Sequence, residues 1–450
     1  MNGAGDLALV WFRQDLRLTD HRPLQAALDH HRCIVFVYVH DPVHDEELRW
    51  GFKRMGLYRR HFTIDSLAGL HSSLVAHDQI LWITEGDAPK KIAELAYALA
   101  ATNVYCEEIA APEEEAQVTE LVTLGAAMGF GVTTLWQSSL LEPQDLPFAV
   151  QALPQVFSEF RRRIERAKVT PPPPIPTPAE LPKWPASLGP SLLAFGWAPS
   201  EQEHAARVFS VADEVRTCDP RSSFPFFEPR YQGGERAALA HLEEYFASDL
   251  PQRYKQTRNG LQGTGYSTKL SPWLAVGALS PRVIWQALQR HEDRFGANES
   301  TYWIGFELWW RDYFRFLHQQ HGHRLFRARG LSERVTPDFS QPDFDRWRFG
   351  RTGVDFIDAG MRELAGTGYL SNRLRQNVAS FWVNDLNGDW RAGAAWFEYC
   401  LIDYDVYSNH GNWLYLAGRG TDPRAGRRFD PDKQARDYDG DKTYRCLWLS

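Results

Sequence analysis

The chain has 450 residues, 43% of them hydrophobic and 24% charged, with a net charge of −7 from 50 basic and 57 acidic side chains. That composition excludes disordered and collagen-like chains, leaves room for about two or three domains, and argues against coating nucleic acid through bulk charge while permitting a local basic groove. No apolar run approaches the roughly 18 residues of a spanning helix, and the start MNGAGDLALVWF lacks a charged segment followed by a cleavable apolar core, so a cytoplasmic protein without a membrane partner is expected.

From Leu7 to about Trp136, short β-branched and aromatic runs alternate with helical stretches: LALVWF (7–12), CIVFVYVH (33–40), QILWITEG (79–86), TNVYCEE (102–108) and VTTLWQ (132–137). This alternation predicts an α/β domain with a doubly wound parallel sheet. The runs are apolar at consecutive positions, as strands covered on both faces must be. Ligands of such sheets sit beyond the carboxyl ends of the strands, yet no GxGxxG or GxxxxGK[ST] follows any of them. The segment PPPPIPTPAELPKWP (171–185) is too rich in proline for helix or strand and reads as a linker. From about Phe224 the apolar residues recur at helical spacing, with start signals such as Ser280-Pro281, and the second half is expected to be all-α.

The five cysteines (Cys33, Cys106, Cys218, Cys400, Cys446) form no CxxC pair, so neither a zinc site nor an iron–sulfur cluster is suggested. The aromatic content is the unusual quantity: 17 Trp, 17 Tyr and 26 Phe against 4 Met. Stacking or electron transfer would use such a surplus.

Four clusters in the helical half place polar groups among aromatics. Tyr254-Lys-Gln-Thr-Arg258 and Tyr266-Ser-Thr-Lys-Leu-Ser271-Pro272 read either as a phosphate cradle at a helix start or as an ordinary N-cap with Ser271 capping and Pro272 first in the helix. In FELWWRDYFRF (306–316), Glu307, Trp310 and Arg311 share one helix face, a platform for a nucleobase or a plain Glu–Arg surface pair. Asn372, Arg375 and Gln376 share a face of SNRLRQNVASFW (371–382), able to read a planar heterocycle or merely solvated. In CLIDYDVYSNHGNWLYLAG (400–418) two close carboxylates, Asp403 and Asp405, would ordinarily suggest a metal or an acid/base pair. No His or Glu completes either, so no metal is expected and Arg375 offers Asp403 a charge partner.

Taken together these motifs resemble the photolyase/cryptochrome superfamily, and within it the DASH cryptochromes. WFRQDLRLTD (11–20) is similar to the superfamily's N-terminal signature, and LPFAVQALPQVFSEFRRRIE (146–165), YKQTRNGLQGTGYSTKLSPWLAVGALSP (254–281) and the last two clusters resemble the DASH branch. The resemblance implies an α/β antenna-type domain at 1–140, an interdomain linker at 141–222 and a helical FAD-binding catalytic domain at 223–450. It places Tyr254, Arg258, Ser267, Thr268, Lys269, Leu270 and Ser271 around the FAD phosphates and ribitol, Arg375 and Asp403 as an ion pair beside the isoalloxazine, Asp405 on the flavin ring and adenosine side, and Asn409 facing flavin N5. A neutral amide at N5 tolerates a reduced, anionic flavin that a carboxylate would repel.

By the same resemblance Glu307, Trp310, Arg311, Asn372 and Arg373 line the pocket for a cyclobutane pyrimidine dimer. Gln376 and Tyr415 stand where conventional photolyases carry Met and Trp. A more polar pocket with a smaller aromatic wall stacks less strongly on a flipped base, and stacking is worth about 1–3 kcal/mol per base. Preference for single-stranded DNA is therefore expected, where extrusion costs least. Arg419, Arg424, Arg427 and Arg428 are candidate phosphate contacts. Trp413 and Trp390 match the flavin-proximal and middle members of the family's tryptophan chain, but Phe339 stands where the distal indole is expected, with Trp382, Trp396 or a tyrosine as substitutes. For a methenyltetrahydrofolate antenna, Ile109 falls on the family's glutamate position, with Glu108 one residue away. His410 is read either as a pH-sensitive neighbour of the flavin or as a helix-surface residue. The expected activity is blue-light-driven, FAD-dependent dimer repair by a monomer. The alternative is a flavin photoreceptor that signals without repairing DNA.

Overall fold

The computed structural model describes residues 7–211, 219–422 and 426–450. Its main sheet contains β1 (Leu7–Phe12), β2 (Cys33–His40), β3 (Leu81–Glu85), β4 (Asn103–Glu107), β5 (Gly131–Leu135) and β6 (Ala198–Pro199), in the order β5-β4-β1-β2-β3-β6. β1 to β5 are parallel, and β6 joins antiparallel to β3 at the edge. Pro199 is tolerated there because an edge strand has one side free of ladder bonds. Along β1, Ala8, Val10 and Phe12 enter one core while Leu7, Leu9 and Trp11 enter another. That is why the run has no polar alternation: helices cover both faces of a crossover sheet.

The proline-rich stretch 171–185 carries neither helix nor strand. It is nevertheless tied down, since the Asp20 N–H donates to the Ile175 carbonyl at 2.7 Å and the Ile175 N–H to the Asp20 carboxylate at 3.1 Å. The linker region also holds a helix at Phe157–Ala167, and it returns to the sheet as β6. It behaves as packed structure rather than as a free tether.

The described part of the second half is helical, and five of its helices build the site: α1 (Leu250–Thr257), α2 (Glu299–His321), α3 (Asn372–Ser380), α4 (Trp390–Cys400) and α5 (Val406–Leu416). Four begin at side-chain caps that satisfy free N–H groups: Asn298 on Ser300 and Thr301, Ser371 on Leu374, Asp389 on Arg391 and Asp405 on Ser408. The start signal at Ser280 likewise caps Pro281–Phe295. A π-helical turn at Phe381–Asp385 follows α3.

Helix α2 is locked against the carboxyl ends of the strands. The Asp312 carboxylate accepts the N–H groups of Leu140 and Leu141, both at 3.0 Å, and Arg315 meets Glu107 at 3.3 Å and the Gln137 carbonyl at 2.9 Å. Burial pushes the carboxyl of Asp312 up to about 6 and that of Glu107 to about 7. The helix that carries Glu307 and Trp310 is thereby positioned by the sheet.

Candidate active site

A cavity of about 440 Å³ opens among α1, the 266–271 loop, α2, α3 and α5, within the range of small-molecule and cofactor sites. Its lining brings together Tyr254, Arg258, Ser267, Thr268, Lys269, Leu270, Ser271, Glu307, Trp310, Arg311, Asn372, Arg375, Gln376, Asp403 and Tyr415. A smaller adjoining cavity of about 80 Å³ is lined by Asp403, Asp405, Asn409 and Trp413 and shares Arg375 and Gln376 with the first.

At its centre Arg375 Nη2 lies 2.9 Å from Asp403 Oδ2, an oxygen that also accepts from the Ser271 hydroxyl at 2.6 Å. Ser271 is thus spent on Asp403, and the helix Ser271–Ala275 has no side-chain cap. The other carboxylate oxygen, Asp403 Oδ1, is buried without a partner. Lys269 takes a left-handed φ of 58° and buries its ammonium 3.3 Å from the Tyr266 ring centroid. Desolvation holds its pKa well below the ordinary lysine range, and Lys269 Nζ also lacks a hydrogen-bond partner. Buried unpaired polar atoms are rare enough to demand an explanation, and both of these belong to residues that line the cavity.

Glu307 pairs with Arg258 at 2.6 Å rather than with Arg311. Burial raises the carboxyl of Glu307 above the usual range, and the guanidinium opposes this in part. Trp310 is stacked on Phe157 with centroids 3.8 Å apart and planes 15° from parallel, and it meets Tyr415 edge-on at 6.0 Å.

The comparisons with known proteins agree with this geometry. A family model described as the FAD binding domain of DNA photolyase matches residues 303–450, and one described as DNA photolyase matches 8–179. A cryptochrome DASH of Gloeobacter violaceus is 42% identical over 98% of this chain and 85% of its own length, and one of Xenopus laevis is 42% identical over 97% and 81%. The chain belongs to the cryptochrome DASH family. The crystal structure of a Synechocystis cryptochrome superimposes with a TM-score of 0.89 at 40% identity, covering 100% of this chain and 89% of that one. A bacterial class III photolyase from Agrobacterium tumefaciens gives 0.80 at 26%, covering 100% and 87%.

FAD fits the residues that this DASH-family chain presents. The unpartnered Lys269 ammonium suits an anionic or polar ligand atom, and the unpartnered Asp403 oxygen suits an N–H or O–H donor. Asp405 is spent differently: Oδ1 caps α5 through the Ser408 N–H at 2.7 Å, and Oδ2 lies 3.7 Å from Arg311. Asn409 donates its side-chain N–H to the Ala394 carbonyl at 3.0 Å, which fixes the amide at the smaller cavity.

Several expectations need correction. Arg311 lines the cavity as expected, but its guanidinium is bonded to the Ser138 and Leu274 carbonyls and paired with Asp405, so it holds elements together rather than standing free for a phosphate. Arg419 is buried and donates to the carbonyls of Arg334 and Val335, both at 2.8 Å, so it too is no phosphate contact. His410 is not a surface residue: its ring lies 4.4 Å from Phe326 and 6.1 Å from Trp390, and burial pushes its pKa down to about 4. Arg373 is held by Asn259 at 2.9 Å and lies over Tyr438. Arg427 lies over the Tyr415 ring, and the exposed Arg428 pairs with Asp385. Arg424 lies outside the described residues.

Sequence reasoning missed Phe157 as the backing of Trp310, Trp303 beneath Arg258 at 4.8 Å, and the Asp312 and Arg315 clamps. The available signal for Phe157 was its apolar spacing with Phe160 and Ile164 in the FSEFRRRIE run, all three buried.

Proposed function

We propose that this chain repairs cyclobutane pyrimidine dimers under blue light and prefers them in single-stranded DNA. The observation that carries the reading is that Glu307, Trp310, Asn372, Gln376 and Tyr415 line the same cavity as the Arg375–Asp403 pair, so a planar substrate would meet a bound flavin directly. Reduced FAD, when bound, supplies the excited one-electron donor.

The protein groups have separable tasks. Trp310, fixed from behind by Phe157, offers a pre-ordered apolar wall, so little side-chain entropy is lost on stacking. Glu307, paired with Arg258 at the cavity wall, presents its carboxyl group toward the base as a hydrogen-bonding partner. Asn372 at the mouth and Gln376 behind it supply neutral donors and acceptors. Tyr415 and Gln376 make the pocket more polar than one walled by Trp and Met, which lowers the stacking energy available to offset flipping from a duplex. Arg373, Arg424 and Arg428 are the proposed backbone contacts, and Trp413 with Trp390 the electron supply. Arg375, Asp403 and Asn409 hold the isoalloxazine, with Asp405 bordering the flavin and adenosine side while it caps α5, and Tyr254, Arg258 and residues 267–271 hold the phosphate side.

The same proposal covers the division at 1–140, 141–222 and 223–450 and a monomer acting in the cytoplasm. No described helix is long and apolar enough to cross a membrane. A folate antenna is its least supported element: Ile109 lines a cavity of about 120 Å³ at the carboxyl ends of the strands, where Glu108 is not among the lining residues.

The test is repair of a thymine dimer in a single-stranded oligonucleotide by the reduced protein, in blue light and in darkness, beside the matching duplex. Light-dependent repair of the single strand is expected. Equal repair of the duplex would remove the argument from Gln376 and Tyr415. No repair by protein with photoreducible flavin would replace the enzyme by a receptor.

A further inference from the structure

The expected electron chain lacks its distal indole, and the structure offers an outlet that does not need one. Trp413 is buried, with the six-membered part of its indole against α4 at Gly393. Its ring neighbours are Phe397 at 5.1 Å and Trp347 at 6.2 Å, edge to face. Trp347 in turn stacks on Trp382 with centroids 5.3 Å apart and planes 29° from parallel. Trp347 lies in the helix Gln341–Arg348 and Trp382 in the π-helical turn after α3. The Trp390 ring meets that of His410 at 6.1 Å, and its N–H donates to the Ala328 carbonyl.

We propose that in this chain the stacked pair Trp347–Trp382 takes the place of the missing distal donor, forming a branch from Trp413 along which electrons reach the flavin. The proposal rests on the flavin reading above and extends it to the supply of electrons. Electron transfer between aromatic rings falls steeply with edge distance, so indoles in contact pass a hole faster than a gap spanned by phenylalanine. Two stacked indoles also share a positive charge, which makes the pair a better resting place than one ring.

The branch has a physical end. Beyond Trp382 the contacts are Phe344 at 5.3 Å and then Phe339 at 5.5 Å from Phe344, and phenylalanine is a poor hole acceptor. Past them lies Trp50, 4.7 Å from Phe339, but the Arg49 guanidinium sits 4.0 Å over its ring. A cation over an indole stabilises the neutral ring and opposes its oxidation. The hole therefore stops at Trp347–Trp382.

The electron balance closes as follows. One electron leaves Trp413 for the light-excited flavin and one follows from Trp347, leaving a single positive charge over the stacked pair. A solution thiol then donates one electron to the pair, releases its proton to water, and couples with a second oxidised thiol as a disulfide. The indole N–H groups of Trp347 and Trp382 donate to the carbonyls of Val378 at 2.9 Å and Asp389 at 2.8 Å. A peptide carbonyl is no base at neutral pH, so the oxidised pair keeps its protons and carries the spectrum of a protonated indole radical. Because both rings are almost fully buried, refilling by the thiol is slow and the radical long-lived.

The experiment is flash photolysis of the flavin-loaded protein without DNA, recording the yield and lifetime of the indole radical by transient absorption. Trp382→Phe is expected to lower the long-lived yield several-fold and to shorten the lifetime of what remains. Trp347→Phe breaks the branch independently and is read by the same criterion, with flavin content as the check on folding. A wild-type yield in either flavin-replete variant, or a deprotonated radical in the wild type, overturns the branch. Dimer repair by chemically reduced wild-type protein is measured separately, so a failure of the repair reading leaves the radical measurement standing.

Discussion

The Arg375–Asp403 pair offers a direct test of how the pocket is held together. The Asp403 side chain is 3% exposed and that of Arg375 21%. With Arg375→Met the carboxylate keeps one hydrogen bond, from Ser271, while Oδ1 already has none. Breaking a buried pair by removing one partner costs about 3–5 kcal/mol, because a charge is left without compensation. The one-fifth exposure of Arg375 lets water screen part of this, which places the expected loss at about 2–3 kcal/mol. The double variant Arg375→Met/Asp403→Asn removes the orphaned charge and should recover more than half of that loss. Urea unfolding of flavin-free protein at neutral pH, followed by tryptophan fluorescence and far-UV circular dichroism together, gives the comparison; coincident transitions license the free energies. A single variant that loses less than about 1 kcal/mol, or a double variant no more stable than the single, would refute the reasoning.

Three other outcomes are expected. A Cβ at Gly393 would lie 2.2 Å from Trp413 Cη2, so Gly393→Ala must displace that indole, and near-UV circular dichroism should change along with a loss of thermal stability. Burial raises the carboxyl of Glu363 to about 7 from an ordinary 4.5. Its protonated form is favoured in the fold, so its stabilisation is complete below about pH 4.5 and is lost as pH rises through about 7, a swing of about 3 kcal/mol. Glu363→Gln keeps the hydrogen-bonding shape without that titration, and its melting temperature should fall less than the wild type's between pH 5 and pH 8. Finally, Gln376→Met combined with Tyr415→Trp should raise the ratio of duplex to single-strand repair, and an unchanged ratio would detach these two positions from strand preference.

The sequence by itself determined what depends on short-range pattern. Uninterrupted apolar runs such as LALVWF announced strands covered on both faces, and the alternation of those runs with helical stretches announced crossovers, because period and turn chemistry are local properties. The helical second half followed from the same kind of spacing, as did the face shared by Asn372, Arg375 and Gln376 on α3. Motif order carried the family, which the full-length relatives show. What the tertiary structure alone decided were partners. Glu307 lies four residues from Arg311, an ordinary pairing distance on a helix, yet it pairs with Arg258 because Arg311 is drawn inward by Asp405 and two carbonyls. Arg419 looked solvated in the chain and is buried in the fold, and His410 is half-buried with its ring against Phe326. The tryptophans were legible as a surplus of indole, but the contact from Trp413 through Trp347 to Trp382 joins three separate elements. Such contacts depend on how helices pack across long loops, where each side chain's partner is set by burial and geometry rather than by its neighbours in sequence.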